Sequence, residues 1–246
     1  MEGMKGVEEP GDLTHLALEL ERKGANGFLL SGGCLPNGTV PLGRYLGALR
    51  EIKERTSLEL NIHTGLLDRD AARGLVGTGA DRFSVDVVQD ERVLSRVLNL
   101  NGRAKEYGRT LSNLEREGAE GVVPHICVGL PHASVEGERM ALDLVSDHEI
   151  SALVVIGFIP TQGTPMSGYP PPSPGRILRF IGEARDRLNC PILLGCMRPR
   201  MDRNLEMDAI GAGVDGVAVP SGSTVEWAKK QGIEIHSREL CCALYR

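Results

Sequence analysis

Three cysteines that lie far apart in the sequence each stand at the end of a short apolar run. These residues are Cys34, Cys127 and Cys196. If the three runs are parallel strands, their carboxyl ends meet at one rim, where three thiolates can ligate an iron–sulfur cluster or zinc. The alternative is that each is a small buried side chain, because free cysteine is among the most buried residue types.

Other polar side chains stand at the same strand ends. His63 and His125 are candidates for catalysis, although either can equally be a hydrogen-bonded core histidine. Arg198 and Arg200 follow Cys196, and arginine at such a rim suits a carboxylate or phosphate ligand. The alternative for the two arginines is a loop that pairs with nearby acidic residues.

Two glycine-containing segments also fall at strand ends. The SGG sequence at 31–33 allows the backbone to approach a ligand closely, although a tight turn explains it equally well. The GVDGVAVPSGS sequence at 213–223 is typical of a phosphate-binding last turn of a barrel.

The three remaining cysteines are interpreted as non-functional. Cys190 precedes its strand and therefore lies at the opposite rim, where we expect a structural role. Cys241 and Cys242 are adjacent in the C-terminal tail, and adjacent cysteines seldom ligate one metal.

The elements that position these side chains alternate along the chain. Short apolar runs are separated by amphipathic helical segments, which predicts parallel strands with right-handed crossovers. The predicted strands are residues 27–31, 58–63, 82–87, 121–128, 152–158, 191–196 and 215–219. Seven such strands fit a parallel (β/α) TIM-type barrel that lacks one strand, or an open doubly wound sheet.

The alternation within two strands favours the barrel. Glu59, Asn61 and His63 share one face of their strand, and Ser84 and Asp86 share one face with Arg82 on the next. A parallel strand between two helical layers is apolar on both faces. A polar inner face therefore indicates a ligand-holding lumen.

Composition restricts the function classes. The chain has 246 residues, 41% of them hydrophobic, and a formal net charge of -5. We therefore expect a single barrel domain over 1–246, with 224–246 as a tail, and no nucleic-acid partner. The apolar runs are shorter than the ~20 residues of a membrane helix and no signal peptide is visible, so we expect no membrane partner and a cytoplasmic location.

Several motifs occur in the order found in the radical SAM superfamily. The segments GFLLSGG (27–33), LELNIHTG (58–65), RFSVDVV (82–88), HICVGLPH (125–132) and QGTPM (162–166) resemble its strands and turns, near biotin synthase and lipoyl-forming relatives. The resemblance covers roughly residues 10–223.

The resemblance implies S-adenosylmethionine (SAM) as a cofactor and a small-molecule or acyl-carrier-type substrate. It assigns SAM or cofactor contacts to Ser31, Gly32, Gly33, Ser84, Asp86, Gly129 and Thr164, and it assigns no catalytic residue. An auxiliary iron–sulfur cluster on Cys34, Cys127 and Cys196 is also implied, although Asn61 replaces one cysteine of the biotin synthase pattern.

One departure from the superfamily is large. Its SAM-cleaving [4Fe–4S] cluster is bound by CxxxCxxC after the first strand, and this sequence contains no such triplet. We therefore expect a barrel that lacks its first strand and cluster loop, in a fragment, a gene begun at an internal methionine or a degenerate family member. The SAM-cleaving cluster is expected only if the missing N-terminal segment is present.

Three functions follow as hypotheses. The first is the barrel of a radical SAM enzyme, with 5′-deoxyadenosyl radical chemistry that includes sulfur insertion. The second is a non-catalytic barrel that binds SAM or another small molecule. The third is an unrelated TIM-barrel enzyme acting on a phosphorylated substrate; most lysines fall on predicted helices, which disfavours a Schiff-base aldolase.

Overall fold

A computed structural model describes residues 5–200, 202 and 204–245. Its strands are Gly27–Leu30 (β1), Glu59–His63 (β2), Arg82–Asp86 (β3), Val122–Val128 (β4), Leu153–Gly157 (β5), Ile192–Leu194 (β6) and Gly216–Val217 (β7). Its α-helices are Pro10–Arg22 (α1), Leu46–Arg55 (α2), Arg69–Val76 (α3), Glu91–Arg96 (α4), Ala104–Arg116 (α5), Val135–Ser146 (α6), Pro174–Arg187 (α7), Leu205–Gly211 (α8) and Gly222–Lys230 (α9). Two 3-10 turns lie at Gly43–Tyr45 and Cys242–Leu244.

The seven strands form one parallel sheet whose spatial order is the chain order, β1 to β7. Each strand is joined to the next through helix, so the predicted strand–helix alternation is confirmed. The sheet curls into a half-barrel, an α/β TIM-like fold in which part of the barrel is missing. The predicted α/β barrel class is therefore confirmed.

One face of the sheet packs against the helices. Leu60, Ile62, Phe83 and Val85 point to this side and are buried with apolar side chains of the helices. Leu49 of α2 is fully buried in the same core. Burial of these side chains is the main stabilisation of the sheet.

The opposite, concave face is divided into a polar and an apolar half. The register pairs His63 with Ser84 and Asp86 with His125, so these four side chains share the concave face. The predicted polar faces of β2 and β3 are thus confirmed. Towards β5 and β6 the same face is apolar.

The C-terminal tail covers the apolar half. After α9 the chain returns to the sheet, where Ala243 is buried with Val123, Val154 and Leu193. The Arg82 Nη2 atom donates a hydrogen bond to the backbone oxygen of Tyr245 at 3.3 Å. The tail therefore forms a floor beneath the strand-end side chains.

A buried ion pair fixes the connections around β6 and β7. The Arg198 side chain is 1% exposed and pairs with Glu206 of α8. It also donates to the backbone oxygen of Ala218 at 2.8 Å. Arg198 is therefore paired with an acidic residue, the alternative that the sequence left open, and does not offer its guanidinium to a ligand.

Within the described part of the chain, no helix is both long and apolar enough to cross a membrane.

Removing the partner of Arg198 tests this arrangement. Glu206→Ala leaves a buried guanidinium without its counter-ion, and we expect unfolding free energy to fall by ~3–5 kcal/mol. The measurement is urea unfolding followed by circular dichroism. The control is Glu226→Ala on the exposed side of α9, for which we expect a change within about 0.5 kcal/mol. Equal stability of the two variants would contradict the assignment.

Candidate functional site

The loop after β1 forms an open edge of the site. Gly32, Gly33 and Cys34 are exposed, and a Cβ atom added at Gly33 would meet no other atom within 4 Å. The Gly32 and Gly33 amide groups make no hydrogen bond to another described residue. Free amides at an open strand end can bind an anionic or carbonyl group of a ligand.

A charged pair lies at the ends of β2 and β3. The His63 Nε2 and Asp86 Oδ2 atoms are 3.1 Å apart, and the Asp86 side chain is 58% exposed. Burial alone would lower the pKa of His63, but the hydrogen bond and negative charge of Asp86 outweigh it and raise that pKa. Desolvation opposes ionisation of Asp86, yet the same hydrogen bond lowers its pKa. The pair therefore presents a carboxylate to the opening.

His125 on β4 is held neutral beside this pair. Its ring stacks on that of His63 with 5.5 Å between centroids. Burial lowers the pKa of His125 to about 4. Its Nδ1 lies 3.1 Å from the Val123 backbone oxygen, which can only accept, so Nδ1 carries the proton and Nε2 is a free acceptor.

Beneath the charged pair, side chains link the sheet to the tail. The Ser84 hydroxyl donates to Asn61 Oδ1 at 2.9 Å, and Asn61 Nδ2 donates to Cys241 Sγ at 3.6 Å. Ser84 is buried. Its hydroxyl therefore orients Asn61 rather than facing the opening.

Two further residues implied as cofactor contacts have local structural partners. The Gly129 amide donates to Glu138 Oε1 at 2.7 Å, and a Cβ atom on Gly129 would lie 2.5 Å from Pro172. With its positive φ of 78°, Gly129 is required by close packing of the turn. Thr164 lies in the loop after β5, where its hydroxyl donates to the Thr161 oxygen at 2.7 Å.

The three strand-end cysteines do not form a ligand group. Among the residues that the structure describes, no set of three or more histidine, cysteine or acidic side chains is placed to hold a metal ion. Burial raises the pKa of Cys127 to about 12 and also raises that of Cys34. Both thiols are therefore protonated near neutral pH, and ligation of a metal would require each to lose its proton.

Cys196 is exposed, and its backbone oxygen accepts from Arg200 Nη2 at 3.4 Å. Cys241 and Cys242 lie against the sheet, because the tail folds back onto it, and their interpretation as non-functional residues stays a prediction. The adjacent pair of cysteines was the signal that the sequence offered for this tail. No strand pattern predicts where the tail lies on the sheet.

Tyr107 of α5 was also missed by sequence reasoning. Tyr107 is buried, and burial raises the pKa of its hydroxyl group. The negative charges of Asp86 and Cys34 raise this pKa further. Its position on a helix gave no indication that it lies near the strand ends.

No protein-family model and no curated protein sequence matches this chain. Solved structures do share its fold. It superposes on methylornithine synthase (PylB) with a TM-score of 0.65 and 18% identity, covering 92% of this chain and 73% of that one. It also superposes on the FeFe-hydrogenase maturase HydG from Carboxydothermus hydrogenoformans, with a TM-score of 0.70 and 12% identity. This superposition covers 94% of this chain and 60% of the HydG chain.

A third similar structure is the coproporphyrinogen III oxidase HemN from Escherichia coli, a radical SAM enzyme. The TM-score is 0.53 at 16% identity, with 72% of this chain and 44% of that chain covered. This chain therefore shares the fold of these three structures, of which HemN is described as a radical SAM enzyme. At these identities the likeness shows the fold alone.

The iron–sulfur cluster implied by this fold does not fit the residues present. The sequence has no CxxxCxxC triplet, and the described residues provide no group of three suitable ligands. We therefore derive no chemical step through a cluster.

The protonation states of the two histidines can be measured directly. Histidine ring NMR signals should show His63 titrating above the usual value of about 6.5, and His125 titrating near pH 4. Asp86→Asn removes the carboxylate that favours the imidazolium, so the His63 midpoint should fall. The control is Asp186→Asn, a change at an exposed residue of α7, which should leave the His63 midpoint unchanged. An unchanged His63 midpoint in Asp86→Asn would contradict the pairing.

Proposed function

We propose that the polar half of the concave face, at the carboxyl ends of β1 to β4, binds SAM. The observation that carries the proposal is the exposed Asp86 carboxylate at the end of β3, on the same sheet edge as the open Gly32–Gly33 backbone that follows β1. The radical SAM-like fold and the motif order of the sequence support the same ligand.

The charges of this half suit the ligand. SAM carries a sulfonium and an α-amino group, both positive, and an ionised carboxylate attracts them. The lowered pKa of Asp86 keeps its carboxylate charged at neutral pH. The neutral His125 adds an acceptor without adding a positive charge. The amides of Gly32 and Gly33 are donors for the ligand carboxylate.

Phosphate binding at the last turn is not favoured. The start of α9 is already occupied by the Glu206 carboxylate, which accepts from the Ser221 amide and the Thr224 hydroxyl, both at 2.7 Å. These contacts and Arg198 lower the pKa of Glu206 to about 2, against the effect of burial. A second anion there would be repelled.

Reductive cleavage of SAM and sulfur insertion need clusters that the described residues do not fit. The second sequence-based hypothesis, a barrel that binds the ligand without a cluster, therefore agrees best with the site.

Ligand binding is tested by calorimetric titration with SAM. Gly33→Val fills the open space beside β1 without a clash, so we expect it to abolish binding at unchanged melting temperature. Gly175→Val on the outer helix α7, which also meets no atom within 4 Å, is the matched control and should bind normally. Absence of heat with the wild-type chain, or normal binding by Gly33→Val, would refute the proposed site.

Asp86→Asn tests the electrostatic part. Loss of a charged hydrogen bond, worth ~1.5–3 kcal/mol, should weaken SAM binding about 10- to 100-fold. S-adenosylhomocysteine, which lacks the sulfonium charge, should be less affected by the substitution than SAM. Equal losses for both ligands would show that Asp86 does not interact with the sulfonium.

Iron content tests the auxiliary cluster. After anaerobic reconstitution and desalting, the wild-type chain and the Cys34→Ser/Cys127→Ser/Cys196→Ser variant should carry equal iron. An excess of about four irons per wild-type chain, lost in the variant, would show that the cysteines ligate a cluster.

A further inference from the structure

The tail reaches the concave face through an exposed linker. Residues 233–239 follow α9 without helix or strand, and each of them is exposed. The hydrogen bonds and ion pairs found for this linker join Ile233 to Ala228 of α9 and His236 to Glu234 within the linker. The linker therefore does not itself hold the tail on the sheet.

The end of the tail, residues 240–245, is held by a small interface. Ala243 and Leu244 are its buried side chains. Two long hydrogen bonds join it to the sheet, from Asn61 Nδ2 to the Cys241 sulfur at 3.6 Å and from Arg82 Nη2 to the Tyr245 oxygen at 3.3 Å. Burial of one alanine and one leucine contributes little against the entropy lost by ordering six residues. A ligand that covers the same surface can therefore displace the tail end.

The surface beneath the tail end is aliphatic. Val123 of β4, Val154 of β5 and Leu193 of β6 form with Ala243 a buried cluster separate from the main core. The partly buried Ile156 packs against this cluster. Exposure of such a surface to water is unfavourable, so whatever replaces the tail end must also be apolar.

Arg82 adds a positive charge at the border of this aliphatic surface. It lies on β3, two residues before Ser84, which pairs with Val123 in the sheet register. Its Nη1 and Nη2 atoms donate to the backbone oxygens of Asp81 and Tyr245, which carry no net charge. Its Nε atom is buried and has no hydrogen-bond partner. A carboxylate placed between Nε and Nη2 would satisfy this donor and form a bidentate pair with the guanidinium.

We propose that Arg82 and the apolar half of the concave face form a binding site for an aliphatic carboxylic acid, which the tail end occupies in the free chain. The carboxylate pairs with Arg82, and the aliphatic chain lies across β4, β5 and β6 in place of Ala243. Strands are ~4.8 Å apart, so a chain of roughly ten carbons extends from β3 to β6. This site lies below the strand ends and does not depend on SAM binding.

Calorimetric titration of the full chain with decanoate, without SAM, tests the site. We expect saturable binding of one decanoate per chain. Arg82→Met should weaken it about 10- to 100-fold, because a charged hydrogen-bonded pair is lost. The matched control is Arg116→Met at an exposed residue of α5, which should bind normally. Binding without saturation, or equal affinity of the Arg82→Met variant and the wild type, would overturn the proposal.

Shorter and uncharged ligands separate the two parts of the site. Butyrate carries the same carboxylate but cannot cover the aliphatic cluster, and decanol covers the cluster but carries no charge. Both should bind at least 10-fold more weakly than decanoate. Equal affinity for butyrate would show a carboxylate contact without the aliphatic surface, and equal affinity for decanol would remove the role of Arg82.

Competition with the tail predicts a gain in affinity. Ala243→Asp places a charge in the aliphatic cluster and should release the tail end, so decanoate should bind more tightly than to the wild type. The control is Ile235→Asp in the exposed linker, which should leave the affinity unchanged. Weaker or equal binding by the Ala243→Asp variant would show that the tail does not compete.

Hydrogen-exchange mass spectrometry follows the tail in the wild-type chain and needs no variant that folds. The amides of Leu244 and Tyr245 are hydrogen-bonded within the 3-10 turn. Saturating decanoate should speed their exchange, whereas the same concentration of butyrate should not. Unchanged exchange of residues 240–245 with bound decanoate would contradict displacement of the tail.

Discussion

The return of the C-terminal tail to the concave face is the contact on which the rest of this structure depends. A parallel sheet that curls without closing exposes the inner face of its strands, and the inner side chains of β5 and β6 are apolar. Ala243 packs on Val123, Val154 and Leu193 and removes this surface from water. The tail also contacts β2 and β3, and the polar side chains that stay open above it are those at the strand ends, such as Asp86.

Charge on the polar half is set by neighbouring strands rather than by burial alone. His63 and His125 have rings in contact, yet their pKa values shift in opposite directions. Asp86 hydrogen-bonds to His63 and only acts at a distance on His125, where burial dominates. His63 is consequently protonated more readily than a usual histidine, whereas His125 remains a neutral acceptor. The Asp86 carboxylate beside them stays ionised.

Much of the fold could be predicted from the sequence because it depends on local patterns. Each predicted strand agrees with the observed one within two residues at each end, and the alternation of β2 and β3 identified the concave face. The contacts that escaped prediction join residues far apart in the chain. No periodicity connects Cys241 of the tail to Asn61 of β2, or Ala243 of the tail to Val123 of β4.

Arg198 at the rim shows a second limit of prediction from the sequence. A strand-end arginine is the same signal whether it binds a ligand or an internal carboxylate, since both partners are anions. Here Glu206 is close enough to neutralise Arg198 and also to occupy the start of α9, so one carboxylate fills two places where an external anion would bind. Because these donors are satisfied internally, the polar groups at the strand ends of β1 to β4 include Asp86, its histidine neighbours and the free amides after β1. We propose that such a surface selects a cation that carries a carboxylate of its own.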